Sequence, residues 1–185
     1  MKQIRYMFIT ILLITTSSCG YNRIQTLDEN VNGFQSQIEV QLQRRADLIP
    51  NLVEVVKSFA EHETEVFTAV ADARSRLNGA VASGNLGDMA EADVQMTGAL
   101  GRLLAISEAY PDLRSNENFR TLQDQLEGTE NRIATARADY NNAVREYNGY
   151  IRRFPAVLTA KAIGVGARDY FEADEAAAEA PRVEM

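Results

Sequence analysis

Between residues 119 and 154 an apolar or aromatic residue recurs at every seventh position: Phe119, Leu126, Ile133, Tyr140, Tyr147 and Phe154. Leu122, Ala136, Ala143 and Tyr150 fill the companion positions, with Thr129 as the exception. A seven-residue repeat sustained this long describes a helix that buries one seam against a partner; a strand, with its two-residue period, does not produce it. Tyr140, Tyr147 and Tyr150 carry hydroxyls that need hydrogen-bond partners when buried, so the later half of this helix is expected to be laced with polar contacts. The pattern predicts a helix over about residues 116–154, with Asn116 as its cap.

The other apolar patterns are also helical. Val31, Phe34, Ile38, Leu42, Ile49, Leu52, Val53 and Val56 follow a 3.6-residue spacing and predict a first long helix over about 21–60. Pro50 lies inside it and removes the hydrogen bond to the carbonyl four residues back, so either a kink falls near Ala46 or Asp47, or Asp47 caps a fresh helix from Leu48. After a turn at Ala60–Glu63, a shorter helix over about 63–79 turns Val66, Val70, Ala73 and Leu77 inward. The Ala82-Ser83-Gly84-Asn85 loop leads to a third helix over about 86–109, with Leu86, Met89, Met96, Leu100 and Leu103 on one side. Gly87, Gly98 and Gly101 within it suggest close approach of a neighbouring backbone.

There is no sustained apolar alternation and no Asn-Gly or Asp-Gly hairpin between β-rich runs. The expected fold is therefore all-α, an antiparallel four-helix bundle with two long helices (about 21–60 and 116–154) and two shorter ones (about 63–79 and 86–109). The mismatch in length predicts that 21–37 and 138–154 pair as a two-helix stalk beside the membrane. Beyond Pro155, Ala156–Ile163 suits a short amphipathic turn stopped by Gly164 and Gly166, and the acidic tail 172–185 is expected to be poorly ordered.

The membrane enters through the amino terminus. Lys2 and Arg5 precede an apolar run from Tyr6 to Ile14 broken only by Thr10, followed by Ser17 and Ser18 before Cys19. This is the layout of a secretory signal. Even counted generously to Thr16, the run is about 16 Å long as a helix against a hydrocarbon core of about 30 Å, too short to span it. Thr16-Ser17-Ser18-Cys19 resembles the lipobox of bacterial lipoproteins, although Thr16 stands where a branched apolar residue is usual. The expected organisation is a signal peptide over 1–18, lipidation at Cys19, a helical bundle over 19–171 and the tail 172–185. The protein is then lipid-anchored in the envelope on the extracytoplasmic side; the alternative is an uncleaved, single amino-terminal transmembrane helix. Cys19 is the single cysteine, so no internal disulfide can form.

Composition narrows the function classes further. A formal charge of -7 without a basic stripe argues against a general grip on nucleic acid, which depends on cations displacing phosphate counterions. The single histidine, His62, sits between Glu61 and Glu63 in a turn and suits solvent better than a metal. No Ser, Cys and His arrangement, phosphate-cradling glycine loop or zinc-protease helix is present, so no catalytic residue, metal or cofactor is expected.

The polar residues that do merit a role are Arg44, Arg45, Asp47, Asn51, Arg74, Glu108, Glu127, Glu130 and Arg137. They are expected to meet as an interhelical polar network that fixes helix register. The other reading is a small-ligand or hydrolytic site built on the same Arg and Glu cluster.

Several segments together resemble the LemA family of bacterial envelope proteins. They include Tyr21-Asn22, Arg44-Arg45, Asp47-Leu48-Ile49-Pro50-Asn51-Leu52-Val53, His62-Glu63, Glu108-Ala109-Tyr110-Pro111-Asp112-Leu113, Leu126 through Ile133, Tyr140-Asn141, Tyr147-Asn148 and Phe154-Pro155. The resemblance implies a helical bundle held at a membrane, usually by an amino-terminal transmembrane helix, with no established enzymatic activity. The short leader departs from that pattern. The expected function is protein interaction or assembly at the envelope, through a protein partner or self-association; direct membrane remodelling by Ala156–Phe171 is a further alternative.

Overall fold

The computed structural model describes the backbone of residues 2–171, with side-chain surroundings from Gly20 onward. The Cys19 side chain and the tail 172–185, on which lipidation and disorder were expected, lie outside the described residues. Six helices and no strand occur among the described residues: α1 (Lys2–Lys57), α2 (Thr64–Ser83), α3 (Leu86–Ala109), α4 (Pro111–Ser115), α5 (Glu117–Ile151) and α6 (Ala156–Ile163).

The first helix corrects the expected start near residue 21. One helix runs from Lys2 to Lys57, because no proline or turn cluster separates the leader from the body, and the lone Gly20 costs only about 1 kcal/mol. It also passes through Pro50 without a new start, so Asp47 is not a cap; its Oδ1 accepts from Gln43 Nε2 at 2.9 Å, one turn back. α2 runs to Ser83, farther than expected, and Gly84 ends it at φ 69°, a left-handed conformation that a side chain would strain. Asn85 then starts α3 by accepting from the Asp88 N–H. The Tyr110-Pro111 stop leads into α4, which was not foreseen, with Pro111 at its first turn where a missing N–H costs nothing. Asn116 Oδ1 accepts from Phe119 N at 3.0 Å, the expected cap.

Gly98 and Gly101 have nothing within 4 Å of a built Cβ, and Gly87 meets only the Asn85 side chain. The expected close backbone approach is absent there, because these glycines lie on the exposed side of α3.

The chain divides into two compact units. One comprises Gln37–Ala136 with Phe171. Its core takes Ile38, Leu42, Ile49, Leu52 and Val56 from α1; Phe67, Val70 and Leu77 from α2; Met89, Met96 and Leu103 from α3; and Phe119, Leu126 and Ile133 from α5. Phe67 is buried where Val66 was expected to face inward. Thr129, which broke the apolar seam in the sequence, is fully buried and satisfies its hydroxyl by donating to Leu126 O at 2.7 Å.

The other unit comprises residues 1–36 and Arg137–Tyr170. Ile24, Leu27 and Val31 of α1 and Tyr140, Val144, Tyr147 and Ile151 of α5 form its core. Its boundaries follow the segments expected to pair, 21–37 and 138–154, but it contains more than two helices. Ala156 and Ala160 of α6 are buried. Gly164, at φ 73°, closes α6 with paired bonds, its own N–H donating to Lys161 O and that of Val165 to Ala160 O. Phe154 corrects the seven-residue seam: α5 ends at Ile151, and Phe154 is 80% exposed instead of buried.

Candidate functional site

The polar cluster in the Gln37–Ala136 unit is smaller than expected and centres on Arg45. This side chain is only 5% exposed. Its Nη1 donates to Asp93 Oδ1 at 2.7 Å and stands 2.7 Å from Glu130 Oε2; its Nη2 donates to Thr97 Oγ1 at 3.0 Å. Thr97 in turn donates to Asp93 O at 2.9 Å, so the acceptor side of the site is pinned along α3. One guanidinium thereby joins α1, α3 and α5. Asp93 is as buried as Arg45, whereas the Glu130 side chain is 49% exposed.

Pro50 and Arg74 form the second arrangement. Having no N–H, Pro50 leaves Ala46 O without its donor four residues on. Arg74, reaching from α2, donates Nε to that same carbonyl at 2.9 Å. A helix defect on α1 is thus repaired by a cation from a neighbouring helix, and the repair fixes how α2 docks.

Of the nine candidates, Arg45, Glu130 and Arg74 take part in these contacts. Arg44, Asp47, Asn51, Glu108 and Glu127 are exposed and are not gathered around Arg45. Consecutive residues on a helix point about 100° apart, which is why Arg44 faces outward when Arg45 faces in. Glu127 accepts from Gln123 Nε2 on its own helix. Arg137 is half-buried and belongs to the other unit.

Asp93 and Thr97 were missed, although the sequence carried a signal. Asp93 falls between Met89 and Met96 at helical spacing, a carboxylate on the apolar stripe of α3 that needs a buried cation.

The unit formed by residues 1–36 and Arg137–Tyr170 holds a second polar constellation. Past Gly164 the chain crosses from α5 to α1 as a strap held by Arg168. Asn148, 6% exposed on α5, accepts from the Arg168 backbone N–H at 2.8 Å and donates Nδ2 to Arg168 O at 2.9 Å. The Arg168 side chain reaches α1, with Nε donating to Asp28 Oδ1 at 2.9 Å and Nη2 to Asn32 Oδ1 at 3.1 Å. Tyr140 donates its hydroxyl to Asp169 O at 2.9 Å, the polar partner its burial calls for. Burial pushes the Tyr140 phenol above its ordinary value; Arg168 opposes this and Asp169 adds to it. Tyr147 is raised by burial and then by Asp28, again against Arg168. Reading Gly164 and Gly166 only as breakers concealed this strap.

The grooves described among these residues include neither Arg45 nor Arg168 in their lining. An open groove of about 690 Å³ in the Gln37–Ala136 unit is lined by Glu54, Lys57, Glu61 and Phe67 among others, with Lys57 Nζ 5.2 Å above the Phe67 ring. It contains none of the nine candidates. A second groove of about 350 Å³ includes Asn51 with Asn118 and Leu122. His62 is exposed, and among the described residues no three His, Cys, Asp or Glu side chains gather as a metal site.

What the geometry does chemically is join helices. A buried, hydrogen-bonded Arg–Asp pair is costly to break and fixes which faces meet.

Comparison with known proteins gives the family of this chain. The LemA family model matches residues 34–185. Magnetosome proteins MamQ 1 and MamQ 2 of Paramagnetospirillum magneticum are each 30% identical, the alignment covering 88% of this chain and 68% of theirs. Magnetosome protein MamQ of Magnetospirillum gryphiswaldense is 29% identical over 87% of this chain and 68% of its own. The chain belongs to the LemA family.

Proposed function

We propose that this protein is a non-enzymatic, antiparallel four-helix bundle of the bacterial cell envelope, held at the membrane by its amino terminus and acting by assembly with an envelope protein or with itself. The observation that carries the reading is that both terminal nitrogens of the Arg45 guanidinium are already engaged. A cation awaiting an anionic ligand would face a cavity, whereas Arg45 is occupied by Asp93, Thr97 and Glu130 from two other helices. The charges that remain exposed, Arg44, Asp47, Glu108 and Glu127 among them, lie on outward surfaces suited to meeting another protein.

The anchor in this proposal is a diacylglyceryl group on Cys19, with the signal peptide 1–18 removed and the body on the extracytoplasmic side. Among the described residues no helix is long and apolar enough to cross a membrane. The mature chain then loses Lys2 and Arg5 with the leader, taking its formal charge from -7 to -9. Cys19→Ser is expected to release the protein from washed membranes. Unchanged retention as a full-length precursor would replace the lipid by an uncleaved amino-terminal anchor.

Crosslinking on intact cells followed by mass spectrometry tests the assembly role. Reproducible envelope neighbours, or links between copies, are expected. A protein that is abundant in the membrane yet yields neither has another role.

A further inference from the structure

α6 and the residues just before it carry an unused surface. Phe154 is 80% exposed, Leu158 60% and Ile163 37%. On α6 the buried positions, Ala156 and Ala160, lie on one face, while Leu158, Lys161 and Ala162 share the opposite face by helical spacing. From Gly149 to Gly166 the chain carries three cations, Arg152, Arg153 and Lys161, all exposed, and no carboxylate, in a protein of formal charge -7. The position of the helix is equally informative. A Cβ built on Gly20 would lie 3.3 Å from Thr159 Oγ1, so α6 rests directly on α1 where the body of the chain begins. The apolar leader run ends only a few residues earlier, and Tyr21, the next residue, is 46% exposed.

We infer that this surface is a second membrane contact, in which Phe154 and Leu158 enter the headgroup region of an anionic bilayer while Arg152, Arg153 and Lys161 pair with its phosphates. This rests on the proposed attachment at the amino terminus, but not on its chemistry. Whether Cys19 is lipidated or the leader stays embedded, the bilayer lies at Gly20, and α6 sits on Gly20. Exposed apolar groups beside uncompensated cations are what an anionic lipid surface binds: apolar side chains reach about 5–10 Å into the headgroup and acyl boundary, and the cations add electrostatic attraction. The contact would fix the orientation of this unit on the membrane, which a single flexible lipid tether would not.

The chain contains no tryptophan, so Phe154→Trp introduces a unique fluorophore at an exposed position. The full-length variant is reconstituted in phosphatidylglycerol vesicles with brominated acyl chains. Ser36→Trp, exposed on the same helix as Gly20 and about 24 Å further along it, serves as the control. The Phe154→Trp probe is expected to be quenched at least about threefold more than the control, given its immersion depth. Replacing the lipid by phosphatidylcholine, or combining Arg152→Glu, Arg153→Glu and Lys161→Glu, is expected to reduce that quenching while the helical circular dichroism is retained. A protein that floats with the vesicles while the probe stays unquenched leaves the anchor standing and overturns this contact. A probe that shifts only with protein density, without bromine quenching, assigns the surface to a second copy and overturns it too. Failure to float would remove the anchor itself.

Discussion

Pro50 and Arg74 show how one residue's chemistry sets another's. Proline inside a helix forfeits one hydrogen bond, and the oxygen of Ala46 that this frees becomes an acceptor that a neighbouring helix can use. A charged donor to a carbonyl contributes about 1.5–3 kcal/mol, so Arg74→Met is expected to destabilise the protein by about that much. Pro50→Ala restores the intrahelical bond and is expected to reduce the Arg74→Met cost by about 1 kcal/mol or more, a coupling that a double-mutant cycle in urea measures directly. Additive effects would mean that the two residues are independent. Arg45 follows a different rule because its surroundings are dry. Asp93→Ala leaves a buried guanidinium short of a counter-charge and is expected to cost about 3–5 kcal/mol. Glu130→Gln, at a half-exposed partner, is expected to cost about 1 kcal/mol or less by the same urea measurement. Equal costs would show that exposure does not set the hierarchy.

The elements take their positions from apolar spacing, and polar residues close them. Six of the first helix's eight expected core positions are fully buried, Phe34 and Val53 being partly so, because a 3.6-residue pattern specifies a face almost directly. The strap through Arg168 is different: its contacts join residues 140 and 136 positions apart, and no local pattern announces them. It leaves a measurable signature in Tyr140 and Tyr147. Both phenols are held above 10.0, so each stays neutral in the folded chain while its unfolded counterpart ionises. The folded state then binds more protons, and this contribution to stability is complete below pH 10.0 and is lost as pH rises through the folded values. Of the seven tyrosines, these two are expected to ionise late in an ultraviolet phenolate titration. Asn148→Ala, which releases the Arg168 backbone, is expected to lower the Tyr140 value and to cost about 1–3 kcal/mol in a urea melt. Simultaneous titration of all seven near the ordinary value would contradict the packed strap. The candidate charges were legible only where spacing placed them beside apolar neighbours, as at Arg45. Glu108 and Glu127 failed because which side of a helix faces a partner depends on contacts that sequence motifs do not encode.

At the scale of the whole molecule, the proposed function has the buried charges of this LemA-family chain fix its architecture and leaves recognition to the outer surface. If so, the Arg45 and Asp93 pair can be replaced by apolar residues of similar size, since removing both charges removes the desolvation cost along with the attraction. Thr97 still bonds to Asp93 O through the backbone, and the half-exposed Glu130 returns to water. The decisive measurement is the crosslinked-neighbour map of Arg45→Met/Asp93→Leu in intact cells, at native abundance and with its urea midpoint recorded. An architectural pair predicts the same neighbours and self-links as the parent, with stability preserved or raised. A variant that folds as stably as the parent but loses those neighbours would mean that the Arg45 cluster recognises a ligand or partner itself, and that the proposed separation of structural charges from the interaction surface is wrong.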